Sequence, residues 1–150
     1  MSRISKLGRL VLSMSLVAGS FALTSHLQAQ QGSVIARVPF AFSANGQQFA
    51  AGQYEIRPLN GFLLLVSNIT THQSGYMMVS PSGLRDIQSN GRLVFHRYNG
   101  NEYFLSQIWM PGRSEFSELS PTRREQQTMR AAKSASSSTN VVEALATSAP

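Results

Sequence analysis

Apolar and polar residues alternate along "SVIARVPFAF" (Ser33 to Phe42) with a period of two. Val34, Ala36, Val38, Phe40 and Phe42 fall on one face, and Arg37 and Pro39 on the other. That period, in β-branched and aromatic residues, predicts a strand. Pro39 brings no amide donor, so the strand must lie at an edge or stop there. Asn45-Gly46 is a turn pair and Gly52 a second break. Tyr54 and Ile56 then alternate with Gln53, Glu55 and Arg57, predicting a second strand. "FLLLVSNI" (Phe62 to Ile69) is apolar on both faces, which predicts a central strand covered on each side. "GYMMVS" (Gly75 to Ser80) reads as a fourth strand, and "PSGLRDIQSNG" (Pro81 to Gly91) as a loop.

"LVFHRYNGNEYFLSQIW" (Leu93 to Trp109) carries the strongest local signal, Asn99-Gly100 between two alternating runs. A two-residue turn there pairs Tyr98 with Asn101, Arg97 with Glu102, His96 with Tyr103 and Phe95 with Phe104. Arg97 and Glu102 would then attract across the strands, and Tyr98, His96, Tyr103 and Trp109 would share a face. "SPTRREQQTMRAAK" (Ser120 to Lys133) reads as a helix capped by Ser120 with Pro121 in its first turn. Its apolar content is thin. "SASSSTNVVEALATSAP" (Ser134 to Pro150) is small and polar, and predicts a disordered tail. The fold class expected is all-β: a small antiparallel sandwich or barrel of six to seven strands at residues 30–118, with one C-terminal helix at 119–133.

The first residues carry a different message. Arg3, Lys6 and Arg9 precede the apolar run Leu10 to Thr24, and small Ala29 closes "SHLQAQ" at the cut. This is the layout of a secretory signal peptide over residues 1–29. No twin arginine precedes the run, so the general secretion route is expected, to the periplasm or the extracellular space. Cleavage removes three of the 13 basic residues and none of the seven acids, so the net charge falls from +6 to +3. A balance that small, without a basic stripe, argues against a nucleic-acid partner. No stable membrane span is expected after cleavage. The chain has no cysteine, which rules out disulfides, thiol catalysis and thiolate metal sites.

Val38-Pro39-Phe40-Ala41-Phe42, Ala51-Gly52-Gln53-Tyr54, Leu93-Val94-Phe95, Tyr98, Tyr103-Phe104-Leu105 and Trp109 make up a pattern that runs into a Glu-containing helix. Over roughly Val34 to Glu125 it resembles an uncharacterised family of small secreted bacterial proteins. That pattern has proline before the Ala-Gly pair, where this chain has Ala50. The resemblance implies a bacterial, extracytoplasmic protein and carries over no catalytic or ligand residues.

Hydrolysis needs a nucleophile, a base and a group that orients the base. His72, His96 and Asp86 could supply parts, but "GRSEF" (Gly112 to Phe116) lacks the second glycine of a nucleophile elbow. Glu55, Asp86, Glu102, Glu115 and Glu118 are dispersed, unlike the paired carboxylates of a glycosidase. No metal-ligand spacing is present, and no cofactor is expected. His96, Tyr98, Tyr103 and Trp109 are the candidate ligand-binding residues, as an aromatic platform or as core. The reading is a non-catalytic binding or scaffolding module whose partner is an envelope or extracellular protein, a glycan or a small ligand. A hydrolase using His96 or His72 is one alternative, and a purely structural envelope component the other.

Overall fold

The computed structural model describes residues 32–98, 101–135 and 139–149. The expected signal peptide and the Asn99-Gly100 pair lie outside the described residues. The elements are β1 (Val34–Val38), β2 (Phe42–Ala44), β3 (Gln47–Phe49), β4 (Gly52–Asn60), β5 (Leu63–Asn68) and β6 (Ser74–Met78). They continue with β7 (Ser80–Ser82), β8 (Gly91–Tyr98), β9 (Glu102–Trp109), β10 (Phe116–Glu118), α1 (Arg123–Ser134) and β11 (Asn140–Ser148).

Nine of these strands run in one path, β3-β2-β9-β8-β11-β1-β4-β5-β6, while β10 pairs with β9 and β7. The path curls into a nearly closed barrel, with more strands than the six or seven expected. It is mixed because Ser43 of β2 meets Phe104 of β9 in parallel. Side chains bridge the seam between its two end strands. Asn45 Nδ2 donates to Tyr76 O at 3.3 Å, Gln47 Nε2 to Ser74 O at 3.4 Å, and Gln73 Nε2 to Gln48 O at 2.7 Å. These amides occupy edge groups that would otherwise invite another strand.

Local chemistry accounts for several boundaries. Asn45 and Gly46, at φ 49° and 82°, form the two-residue turn that joins β2 to β3. β1 stops at Val38, one residue before Pro39, and lies between β11 and β4 rather than at an edge. The helix starts later than its sequence suggests. Its cap is Thr122, whose hydroxyl accepts from Glu125 N at 3.3 Å, so Ser120 and Pro121 precede the helix.

The expectation of a disordered tail over 134–150 is overturned at residues 140–148. They form β11, which lies between β8 and β1, with Ala144 opposite Leu93 and Ala146 opposite both Gly91 and Ala36. Its inward positions, Ala144 and Ala146, are buried. Alanine writes the period-two pattern so faintly that the segment reads as a disordered tail.

The hairpin register is also corrected. Tyr98 pairs with Glu102, Arg97 with Tyr103, His96 with Phe104 and Phe95 with Leu105. The connection is thus one residue longer than a two-residue turn. A bulge follows, since Val94 pairs with Gln107, leaving Ser106 as the extra residue. Leu105 and Ile108, three apart, consequently both join the core.

The barrel interior is occupied by side chains. Phe42 packs against Phe49, Tyr54 and Phe95 with ring centroids 5.1 to 5.3 Å apart. Val34, Ile56, Leu64, Val66 and Met77 fill around them. The Tyr54 hydroxyl donates to Ala50 O, so its one polar atom is satisfied.

Candidate functional site

Strand alternation divides the hairpin into two chemical faces. Leu93 and Phe95 point into the barrel, while His96 and Tyr98 point outward beneath α1. Tyr98, Phe104 and Ala132 form a small second core with Met129 against it. Glu125 is the polar centre of this contact. His96 Nδ1 lies 3.3 Å from its Oε1, and that carboxylate side chain is 7% exposed against 34% for the imidazole. Burial, and then the charge and hydrogen bonding of Glu125, raise the Tyr98 phenol above its ordinary value. Thr122 Oγ1 accepts from Glu125 N, which places Glu125 in the first helical turn with its carboxylate free to face the hairpin.

Tyr103 belongs elsewhere. The one-residue slip turns it toward the barrel interior, where it stacks on Phe40 at 3.9 Å. Arg97 lies 5.9 Å from the centre of the same ring. Glu102, expected opposite Arg97, instead accepts from Thr128 Oγ1 of α1 at 3.1 Å.

Trp109 points outward with His96 and Tyr98, but farther along the hairpin. Its ring stacks on Phe116 at 4.5 Å and lies against the guanidinium groups of Arg92 at 4.5 Å and Arg85 at 5.4 Å. Its indole nitrogen donates to Gln107 Oε1 at 3.1 Å. The four candidate residues are therefore not gathered on one face. His96 and Tyr98 share the helix contact, whereas Tyr103 and Trp109 have separate surroundings. Tyr98 and Trp109 are buried, while His96 and Tyr103 are half-buried.

The catalytic parts are likewise apart. His72 sits exposed in the β5–β6 turn at φ 58°, its amide donating to Asn68 O at 2.9 Å. Asn68 holds that turn from below, its Oδ1 accepting from the amides of Thr70 and Thr71 at 2.9 Å each. Ser106, the buried hydroxyl of the hairpin, donates to Val94 O at 3.0 Å. Asp86 is exposed in the segment between β7 and β8. Among the described residues, no three His, Cys, Asp or Glu side chains gather as metal ligands.

Sequence reading missed two features. One is Glu125, which the capping box in "TRRE" signals. The other is the outer face of β5 and β6. β5 has a neighbour on each side in the sheet, but the expected cover on its second face is missing among the described residues. Leu65 pairs with Tyr76 and Leu63 with Met78, and Tyr76 and Met78 stand 64% and 72% exposed. Phe62, 67% exposed, lies at the same end, where its carbonyl accepts from Val79 N at 2.9 Å.

No family model, curated protein or solved structure matches this chain. Among the described residues, no helix is long and apolar enough to cross a membrane.

Proposed function

We propose that this chain is an exported, non-catalytic β domain that binds or scaffolds in the cell envelope or extracellular space. One observation carries the reading: Phe62, Leu63, Leu65, Tyr76 and Met78 make an apolar strip on the outer face of β5 and β6. Contiguous exposed apolar surface on a folded domain marks a contact site. Its mixture of aromatic residues and methionine is that of protein contact surfaces, so an envelope or extracellular protein is the favoured partner. A glycan stacking on Tyr76 is the second class. The filled barrel supports the choice of an outer surface, because the interior is already taken by Phe42, Tyr54 and Phe95. The commitments of His96 to Glu125 and of Ser106 to Val94 O argue for structural roles over hydrolysis.

The test is thermal unfolding of residues 30–150 with chitin oligosaccharides, peptidoglycan fragments and synthetic peptides from envelope proteins. A probe at about a hundred times its dissociation constant stabilises by roughly 2.7 kcal/mol, raising the midpoint on the order of 10 °C. That shift should vanish in Tyr76→Ser/Met78→Ser, whose own midpoint stays near that of the wild type. A shift that survives the double substitution, or turnover of any probe, contradicts the reading.

A further inference from the structure

β11 is the keystone of the sheet. Without it the strand path falls into two four-stranded halves, β3-β2-β9-β8 and β1-β4-β5-β6. Seven residue pairs align it with β8, from Asn140 opposite Arg97 to Ala146 opposite Gly91. Three more align it with β1, from Ala146 opposite Ala36 to Ser148 opposite Val34. Yet its inward side chains are small, namely half-buried Val142 and the buried alanines 144 and 146, while Val141 and Leu145 are 60% and 74% exposed. The strand is thus held largely by main-chain pairing, to β8 along Asn140 to Ala146 and to β1 along Ala146 to Ser148, which an extended segment from any chain can reproduce if its side chains fit.

The fit is selective for this segment. A Cβ at Gly91 would lie 2.7 Å from Trp109 O, 3.0 Å from Pro111 Cδ and 3.4 Å from Ala146 Cβ. Ala146 itself is fully buried opposite Gly91, so a much larger residue at 146 would overpack. Outside, Glu143 Oε1 stands 3.6 Å from Arg92 Nη1. A small-residue alternation with an acid on the outer face describes "EALA", residues 143–146. The best-matched occupant for the slot is therefore a second copy of the same segment.

The tether is short. α1 ends at Ser134 and Asn140 is already in the sheet, so residues 135–139 make the whole connection. Short connections favour exchange of the following element between chains over closure within one. We propose that the slot between β1 and β8 also takes β11 from a second copy, so that two chains exchange residues 140–148. Each exchanged strand regains the contacts it leaves, so concentration sets the balance between closed monomer and exchanged dimer. The slot lies three strands from β5 in the sheet order, and exchange there is independent of any partner on the β5–β6 face.

The absence of cysteine gives a clean test. Ile35 and Thr147 are paired across β1 and β11, at the separation antiparallel partners share and a disulfide spans. Full chains carrying Ile35→Cys alone and Thr147→Cys alone are mixed, unfolded, refolded together at micromolar and millimolar concentration, and oxidised. The double variant Ile35→Cys/Thr147→Cys, refolded dilute, should close an internal disulfide, which establishes that the pair is in register. Exchange predicts a disulfide-linked heterodimer whose yield rises with concentration and exceeds, by about tenfold, that of Thr147→Cys mixed with Gln88→Cys, because strand pairing holds the thiols at positions 35 and 147 at a high effective concentration. Heterodimer no more abundant than this control, while the double variant closes internally, overturns the proposal.

Discussion

Nδ1 of His96 lies 3.3 Å from Oε1 of Glu125, and this contact ties strand β8 to helix α1. The same carboxylate faces the Tyr98 phenol, so one buried acid organises two hairpin side chains. Glu125→Ala leaves both without their partner under a helix that buries little else, Ala132 being its other buried residue. The expected loss is about 2 kcal/mol, with Glu125→Gln losing less because an amide oxygen still accepts. Urea unfolding measures both; losses under about 0.5 kcal/mol for Glu125→Ala contradict this role.

The phenol of Tyr98 gives a pH signature. Burial and Glu125 hold its folded-state value above the ordinary 10.0. On raising the pH through that ordinary value, the unfolded chain loses the proton first, which favours unfolding. Stability from this group is thus fully present below pH 10.0 and lost as pH climbs through the folded-state value. Tyr98→Phe should be less stable by about 1 kcal/mol at neutral pH and should lose less than the wild type on going to about pH 11. Equal alkaline losses in the two proteins, by urea midpoint, would count against the buried phenol.

Gly52 and Gly61 bracket β4 and should respond in opposite ways to alanine. A Cβ at Gly52 would lie 2.5 Å from Asn68 Nδ2. Asn68 is buried and held by two turn amides, so it cannot withdraw. Gly52→Ala should destabilise by about 1 to 3 kcal/mol. Gly61 has nothing within 4 Å of the same position, so its alanine variant should stay within about 0.5 kcal/mol of the wild type. Chemical denaturation of the pair reads the difference directly.

β11 is open to the same kind of comparison. Ala146→Leu forces three extra carbons against Gly91 and should lose about 1 to 3 kcal/mol. Leu145→Thr, at an exposed position on the same strand, should change stability by less than about 0.5 kcal/mol. Equal effects at the two positions would mean that residue 146 does not face the barrel interior.

Legibility in the sequence followed the size of the inward side chains. β1, β4, β5 and β6 announce themselves through Val34, Tyr54, Leu64 and Met77, and the Asn45-Gly46 turn through its residue types. The hairpin was visible, but Asn99-Gly100 suggests the shortest turn, and nothing local marks Ser106 as a bulge. That slip reverses Tyr103 and dissolves the expected Arg97–Glu102 pair. β11 was hidden because its partners, not its own side chains, impose the strand. Glu125 was readable from Thr122-x-x-Glu125. The open face of β5 could not be read at all, since an apolar run looks the same whether covered or bare.

Amide hydrogen exchange of residues 140–148 tests most directly that β11 completes a nearly closed barrel. β8 flanks β11 from Asn140 to Ala146 and β1 flanks it from Ala146 to Ser148, so the alternate amides of Val141 to Ala146 that face β8 should exchange as slowly as those of β8, near the rate of global unfolding. Exchange within seconds across that segment, while β8 stays protected, would contradict the closed barrel and the strand slot together.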